Sequence, residues 1–459
     1  MSENSSVFKA KSAVKSADLE HRKKINFNIG RYNAVVPAGK SQFEDTGLVR
    51  ERAKNMKWRA LETLDQQLEE FELNFSKRGG KVIWAQNSRE ALDEILKICQ
   101  EKNCKSIVKS KSMVTEEIHL NEFLQDHNIE SVETDLGEYI QQLDHEPPYH
   151  IVTPAMHKSK EDVAKLFAEK LGTESRLTPE QLTLVARDKL REKYVQAEIG
   201  ISGANFIISD IGAIAVTENE GNARLSTAWP KTHIAIAGIE KVITSLTDLS
   251  IMWPLLATYG TGQKVTVYSS IITGPKQAGE ADGPEEMYVI LLDNNRSTIL
   301  ADPKQRESLY CIRCGACLNA CPVYKNIGGH SYGTTYSGPI GSVITPHLKG
   351  LGEYKHLSYA SSLCGNCTEV CAVKINLHEL LLLNRKESVE DGFTTFSERT
   401  AWRLWKMASL KRGFMNMSNG NMKSKVVNKL FKGWNTHRAD IQFSRQTFNQ
   451  MWKERYKHE

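Results

Sequence analysis

The chain has 459 residues, more than one hydrophobic core of ordinary size holds, so two or three domains are expected. Its hydrophobic content of 40% and charged content of 25% are typical of a soluble globular protein, and the formal net charge of +5 is too small to indicate nucleic-acid binding. No apolar run approaches the roughly 18 residues that would span a bilayer. The composition therefore predicts a cytoplasmic protein, in peripheral contact with a membrane at most.

The first 78 residues show two different patterns of apolar residues. Residues 1–45 are short of large apolar side chains apart from the alternation Ile25-Asn-Phe-Asn-Ile29, and they predict an extended, partly flexible N-terminal arm. Between Thr46 and Arg78 apolar residues recur every three or four positions, which indicates one long amphipathic helix.

Short segments rich in valine and isoleucine then alternate with helical patterns up to about residue 300. The predicted strands are Lys81–Ala85, Ser106–Lys109, Ser131–Thr134, Ile201–Asp210, Gly212–Thr217, His233–Ala237, Lys264–Tyr268 and Met287–Leu292. Strands that alternate with helices indicate an α/β domain with a parallel sheet. A charged helical insertion from Lys158 to Ala197 is predicted to cover an open edge of this sheet.

One polar segment of this domain is a candidate anion site. Lys109-Ser110-Lys111-Ser112 follows a predicted strand and precedes a helix, where backbone N–H groups and two lysines can hold an anion. The alternative is a solvated turn in which Ser112 or Thr115 is the N-cap of the helix.

A second candidate is Glu220, in the turn Asn219-Glu-Gly-Asn222, which is either a catalytic carboxylate or an ordinary loop acid. Thr258–Gly262 is rich in glycine but lacks the G-x-G-x-x-G pattern of a dinucleotide site, and no flavin or nicotinamide motif stands out in the sequence. The sequence therefore assigns no catalytic residue.

Seven of the nine cysteines fall in two runs between residues 311 and 371. The first run is Cys311-Ile-Arg-Cys314-Gly-Ala-Cys317-Leu-Asn-Ala-Cys321-Pro322, the spacing that holds 4Fe–4S clusters in bacterial ferredoxins. A cluster needs several thiolates that converge on one point, and short spacings with glycine let a tight loop aim its sulfurs inward. The two runs predict a mostly α-helical ferredoxin-type module with two 4Fe–4S clusters.

The second run, Cys364-Gly-Asn-Cys367-Thr-Glu-Val-Cys371, has Ser361 where its first cysteine would stand. In two-cluster ferredoxins the fourth cysteine of each run ligates the other cluster. This rule assigns Cys311, Cys314, Cys317 and Cys371 to cluster one, and Cys321, Cys364 and Cys367 to cluster two. The fourth iron of cluster two is then missing, as in a 3Fe–4S cluster formed on oxidation, or takes a hydroxyl such as Ser361 or Ser362, or binds a partner or substrate.

Zinc and disulfides explain these cysteines less well. Tetrahedral zinc needs fewer ligands than the runs supply, and disulfides need a secretory context that an N-terminus without an apolar segment does not indicate. Cys99 and Cys104 lie outside the runs and are predicted to be buried thiols. His330 and His347, between the runs, are either cluster ligands or hydrogen-bonding loop residues, and a buried helix over Lys374–Leu383 is predicted to close the module.

Residues 385–459 are basic, with 16 Lys and Arg against 7 Asp and Glu. Four of the eight tryptophans also lie there, namely Trp402, Trp405, Trp434 and Trp452. This composition predicts a helical region, which is either a solvated face with its tryptophans packed inward or a surface that binds partners or a membrane. Acidic partners fit best beside a redox module, and no base-reading motif is present, so no nucleic-acid partner is expected.

Several motifs, in their order along the chain, resemble the lactate utilization protein B family. They are Lys109-Ser-Lys-Ser-Met113, Asp210-Ile-Gly-Ala213, Asn219-Glu-Gly221, and the two cysteine runs with Gly338-Pro-Ile-Gly341 and Thr345-Pro346 between them. The resemblance implies a CoA-transferase-like, sugar-isomerase-like α/β domain followed by the two-cluster module. It also implies electron transfer in the oxidation of L-lactate to pyruvate, which allows growth on lactate, beside two partners, lactate utilization proteins A and C.

The predicted domains are the arm (1–45), the α/β domain (46–300), the double 4Fe–4S domain (301–384) and the basic region (385–459). Because the chain has clusters but no recognised organic cofactor, the sequence favours an electron-carrying subunit of an L-lactate-oxidising complex over its catalytic subunit. One alternative is a self-contained enzyme that acts on a small carboxylate or thioester, with an open iron as Lewis acid. The other is an assembly scaffold whose clusters only stabilise a small module.

Overall fold

The computed structural model describes residues 2–430 and 438–457. They divide into two compact units, of which the first ends at Ser388 and the second begins at Val389. Among these residues, no helix combines the length and the apolar character that are needed to cross a membrane.

The first unit is built on two sheets. Its strands are β1 (Lys81–Ala85), β2 (Ser106–Lys109), β3 (Glu130–Glu133), β4 (Ile199–Gly203), β5 (Phe206–Ile208), β6 (Ala213–Glu218), β7 (Thr232–Gly238), β8 (Val242–Ile243), β9 (Tyr268–Ile272) and β10 (Glu286–Leu292). A parallel sheet has the order β1-β10-β7-β4-β2-β3, and a smaller mixed sheet has the order β8-β5-β6-β9. The predicted α/β class with a parallel sheet is confirmed.

Strand β7 lies inside the parallel sheet, and all of its residues are buried. Successive side chains point to opposite faces: Ile234 and Ile236 join one hydrophobic cluster, whereas Ala235 and Ala237 join another. A parallel strand that is covered on both faces needs a continuous apolar sequence, which Ile-Ala-Ile-Ala supplies.

Helices cover both faces of the sheet. Those of the first unit up to residue 301 are α1 (Glu3–Ala17), α2 (Leu19–Lys40), α3 (Thr46–Glu62), α4 (Leu64–Ser76), α5 (Ser88–Glu101), α6 (Met113–Glu117), α7 (Leu120–Asp126), α8 (Leu136–Leu143), α9 (Lys160–Leu171), α10 (Pro179–Gln196), α11 (Asn222–Ala228), α12 (Leu249–Thr261) and α13 (Arg296–Ala301). Around the cysteines follow α14 (Ala316–Ala320), α15 (Pro322–Ile327), α16 (Gly338–Lys349), α17 (Leu351–Tyr359), α18 (Asn366–Glu369) and α19 (Leu377–Glu390).

The N-terminal residues are helical, so the prediction of an extended arm is wrong. Ser2 and Asp18 cap α1 and α2 by accepting backbone hydrogen bonds. The alternation Ile25-Asn-Phe-Asn-Ile29 was ambiguous because residues four apart share one face of a helix as well as one face of a strand. Ile25 and Ile29 are buried whereas Phe27 between them is 66% exposed, which is the helical pattern.

Two further predictions in this part of the chain need correction. The single helix predicted over Thr46–Arg78 is α3 and α4, because the backbone at Thr63 leaves the helical region. The strand predicted over Ile201–Asp210 is β4 and β5, which belong to different sheets. At Asn205 the chain crosses between the sheets, and the side chain of this residue accepts a hydrogen bond from the N–H of Thr217 at 2.9 Å.

Later boundaries also differ from the prediction. The strand predicted over Lys264–Tyr268 begins only at Tyr268, as β9. Val265 and Val267, which suggested a strand, are 54% and 63% exposed, so they have no core to face. The helix predicted from Lys374 begins at Leu377, since Lys374 has a positive φ of 48°.

One hydrophobic core runs through the first unit. The same cluster of buried residues contains Ile29 of α2, Val289 of β10, Val343 of α16 and Leu380 of α19. The cysteine-rich segments are therefore built onto one face of the α/β sheet and onto the N-terminal helices.

The second unit is helical over Phe396–Leu410, Arg412–Asn416, Gly420–Leu430 and Phe448–Arg455. Trp402 and Trp405 are each 62% exposed, with ring centres 5.6 Å apart, and Trp452 is 51% exposed. Trp434 lies outside the described residues. For the tryptophans that are described, the interpretation that they pack inward is wrong.

Candidate iron–sulfur centre

Four of the thiols predicted to bind iron line one small cavity. Cys311 follows a short 3₁₀ helix (Arg306–Tyr310), Cys314 lies in the next loop, Cys317 is in α14 and Cys371 follows α18. Isoleucine, leucine and valine side chains form most of the other walls. The thiols that meet here are those that the sequence assigns to cluster one.

The other three thiols form a second group outside that cavity. Cys321 follows α14 and is the N-cap of α15, while Cys367 is in α18, which packs against α14. Burial, then the charge of Cys321 and that of Cys364, raise the pKa of the Cys367 thiol to about 11, so these sulfurs are neighbours. Cys364 is exposed at the surface.

The two cysteine loops repeat one backbone conformation. Arg313 and Gly315 flank Cys314 with φ of 60° and 78°, and Leu363 and Gly365 flank Cys364 with φ of 53° and 78°. In the first loop the N–H of Arg313 donates to Cys311 Sγ at 3.4 Å, and in the second the N–H of Leu363 donates to Ser361 Oγ at 3.1 Å. The hydroxyl of Ser361 therefore takes the place of the Cys311 sulfur in the repeat.

The ionisation of the sulfurs depends on a bound cation such as iron. Burial, followed by neighbouring thiolate charge in the case of Cys314, raises the pKa of Cys314 and Cys371 to about 12, so without a cation these thiols stay neutral. Iron stabilises the thiolate form that ligates it. Backbone N–H groups add to this: Ile375 donates to Cys371 Sγ at 3.3 Å and Tyr324 donates to Cys321 Sγ at 3.5 Å. The residues present fit iron–sulfur clusters.

The two candidate histidines make other contacts. Nε2 of His330 lies 2.7 Å from the carbonyl oxygen of Pro147, and its ring packs against those of Tyr149 and His157. Nε2 of His347 lies 2.9 Å from Asn384 Oδ1. These contacts fit the hydrogen-bonding role that the sequence left open for both.

A larger cavity, of about 380 Å³, lies in the α/β domain and reaches the first cysteine loop. Ser110, Lys111, Ser112 and Glu220 line it, as do Lys241, Arg313, Cys314 and Tyr336. Sequence reasoning missed Lys241, Arg313 and Tyr336, because they belong to no motif and only the fold brings them together.

The residues of the candidate anion segment make different kinds of contact. Lys109 is fully buried and is paired with Glu133 at 2.6 Å and Glu116 at 2.8 Å, so it takes no part in the cavity. Ser112 is the N-cap of α6, as the alternative interpretation has it, and Lys111 donates to the carbonyl oxygen of Val152 at 2.5 Å.

The two cysteines outside the runs, Cys99 and Cys104, are both buried, as predicted.

A buried ionic network joins the α/β domain to the first cysteine loop. Arg296 lies between Glu117, at 2.8 and 3.0 Å, and Glu240, at 2.6 Å. Tyr336 also donates to Glu117, at 2.6 Å, and Arg313 approaches Glu240 at 3.6 Å. Charged residues of the helices that flank the sheet thus hold the loop that carries Cys314.

Two family models match the chain: the LUD domain over residues 68–292 and the 4Fe–4S dicluster domain over residues 307–375. With the converging thiols, they define an iron–sulfur protein that carries an α/β domain. The chain belongs to the lactate utilization protein B family. Proteins of that name from Bacillus velezensis and Bacillus subtilis are each 47% identical over 372 residues, covering 81% of this chain and 78% of theirs.

A further relative of the same name, from Bacillus licheniformis, is 49% identical over 358 residues, covering 78% of this chain and 75% of its own. A crystal structure of a DUF162 family protein from Deinococcus radiodurans covers 50% of this chain and 98% of its own at 13% identity. Its TM-score of 0.27 is too low to bear on the fold.

Proposed function

We propose that this chain is an electron-transfer iron–sulfur protein that takes part in the oxidation of L-lactate to pyruvate. The names of its relatives and the dicluster match support this role. The observation that carries the proposal is the position of Cys317, in α14, and Cys321, the residue directly after α14. They belong to different thiol groups although they are only four residues apart. Clusters held at both groups would be adjacent and would supply single-electron transfer.

The proposed ligands follow from the two thiol groups. Cys311, Cys314, Cys317 and Cys371 hold the first 4Fe–4S cluster, and Cys321, Cys364 and Cys367 hold the second. For the fourth position of the second cluster we propose the Ser361 hydroxyl, because it accepts the same backbone hydrogen bond as Cys311 in the other loop.

The ligand role of Ser361 is tested by comparing Ser361→Ala and Ser361→Cys with the control Ser76→Ala, which changes an exposed serine at the end of α4. We expect about eight irons per chain in the anaerobic parent protein. On exposure to air, Ser361→Ala should lose one iron first and give the electron paramagnetic resonance signal of a 3Fe–4S cluster, while Ser361→Cys should resist this loss. Identical behaviour of all three variants would remove Ser361 from the cluster.

We also propose that the chain works in the cytoplasm with lactate utilization proteins A and C, since it shows no motif for an organic cofactor that accepts two electrons at once. Anaerobic purification should recover these partners. L-lactate should reduce a one-electron dye only in the mixture, and Cys314→Ser or Cys367→Ser should abolish the reaction while the complex still assembles. Dye reduction by the isolated chain at the rate of the mixture would instead favour a self-contained enzyme.

The self-contained enzyme is a second candidate because the larger cavity reaches Cys314. A finer fold assignment is also proposed: the α/β domain shares the fold of CoA transferases and sugar isomerases. The parallel sheet flanked by helices supports it, and superposition of an experimental structure on members of those classes tests it.

A further inference from the structure

The larger cavity contains cationic side chains that their protein neighbours do not fully pair. Lys241 is only 7% exposed, lines the cavity, and makes no hydrogen bond or ion pair with any described residue. Arg313 lies over the ring of Tyr336, at 4.5 Å from its centre, and approaches Glu240 with one terminal nitrogen. Its other terminal nitrogen, Nη1, is buried without a partner. Buried charges without partners are costly, so these groups call for an anion.

The two cations meet around one acid. The charge of Glu240 acts on Lys241, the next residue in the chain, and Arg313 approaches the same carboxylate at 3.6 Å. Glu240 is already engaged by Arg296, at 2.6 Å, so it offsets little of the charge of Lys241. The thiolate of Cys311, a proposed ligand of the first cluster, also acts on both cations. The positive charge that it leaves faces the cavity at the wall that Cys314 also lines.

The other residues that line the cavity determine which kind of anion fits. Three carboxylates line the cavity, those of Asp135, Glu218 and Glu220, and they equal the cations Lys111, Lys241 and Arg313 in number. These carboxylates repel a dianion or a polyanion more strongly than a monoanion, and a hydroxyl group on the ligand could donate to one of them. Apolar side chains such as Val216 and Ala257 offer contact for a short carbon chain. The volume of about 380 Å³ is near the lower end for ligand sites.

We propose that this cavity is a binding site for a small 2-hydroxy or 2-oxo carboxylate. Its carboxylate group lies between Lys241 and Arg313, and its carbon chain lies against the apolar wall beside Cys314. The site goes beyond the electron-transfer role and rests on it only for the choice of L-lactate and pyruvate as probes.

The test is anaerobic calorimetry of the cluster-loaded, full-length chain with L-lactate, pyruvate and inorganic phosphate. Both carboxylates should bind more tightly than phosphate. Lys241→Gln should weaken carboxylate binding by roughly tenfold or more, because it removes one charge-assisted hydrogen bond. The matched control is Lys231→Gln, whose side chain is 80% exposed just before β7 and lies outside the cavity. In the reduced protein, pyruvate should also change the electron paramagnetic resonance spectrum of the cluster beside Cys314.

Lys241→Gln must keep the iron content and circular dichroism of the parent, and Lys111→Gln provides a second variant on another wall if it does not. The absence of carboxylate binding, binding of phosphate alone, or equal affinity in the parent and a folded cavity variant would overturn the site. Transfer of electrons from dithionite to a dye is measured on the same samples. If that transfer persists without carboxylate binding, only the site fails, whereas binding without transfer defeats only the electron-transfer role.

Discussion

Replacing Arg296 by methionine should destabilise the first unit strongly. The Arg296 side chain is 1% exposed and holds the carboxylates of Glu117 and Glu240, which are 0% and 2% exposed. Methionine fills much of the same volume but leaves both acids without this cation. Removal of one partner from a buried ion pair costs about 3–5 kcal/mol. Because Tyr336 and Arg313 still contact the two acids, we expect a loss within that range, about 4 kcal/mol.

The assay is urea unfolding of the anaerobic, cluster-loaded protein, followed by circular dichroism. Arg89→Met is the matched control, since Arg89 pairs with Asp93 at 2.9 Å but is 72% exposed, and exposed pairs contribute about 0–1 kcal/mol. Adding Glu117→Gln to Arg296→Met should recover part of the loss, because the amide carries no charge. Equal stability of Arg296→Met and the control would refute the reasoning that the two acids depend on Arg296.

Three further predictions concern pH, iron and the second unit. Burial lowers the pKa of His233 to about 3, and its ring lies 2.7 Å from Ser202 Oγ. The unfolded chain takes up this proton first, so His233 should leave stability unaffected above pH of about 6.5 and lower it by about 1.4 kcal/mol per pH unit below that pH. Burial also lowers the pKa of His21 and His150, so His233→Gln should reduce the slope in urea titrations by that amount rather than remove it. Removal of iron by a chelator should lower the melting temperature of the first unit, because cysteines of both groups lie in or against its core. An unchanged melting temperature would show that the clusters do not stabilise the unit. A chain that ends at Asp391 keeps all of α19 and the seven cysteines of the two runs, so its iron content should equal that of the full chain. A large loss of iron would mean that the second unit is needed for cluster binding.

Patterns that depend on neighbours in sequence were predicted well. Strands such as β7 and β10 are continuous apolar segments, which are stable only inside a sheet that is covered on both faces. Their positions therefore follow from the local sequence alone. The cysteine spacing was also readable from the sequence, because most of the thiolates of a ferredoxin-type cluster come from one short run. The assignment of the seven cysteines to the two clusters stays a prediction.

Features that depend on tertiary contacts were not predictable. The helices at residues 3–40 have too few apolar residues to be recognised, and only the burial of Ile25 and Ile29 against the rest of the unit defines their inner face. Lys241 and Arg313 are far apart in sequence, and Arg313 occupies a spacer position in the first cysteine run. Their meeting around Glu240 is a product of the fold, so no motif could reveal the cavity.

The central claim is that electrons from L-lactate pass through both clusters of this chain. Freeze-quench electron paramagnetic resonance of the chain mixed with lactate utilization proteins A and C and L-lactate tests it most directly. Both clusters should become reduced within one turnover of lactate oxidation, and in Cys367→Ser the relay should stop while the Cys314 group still binds iron. Clusters that stay oxidised while pyruvate accumulates at the full rate would contradict the account.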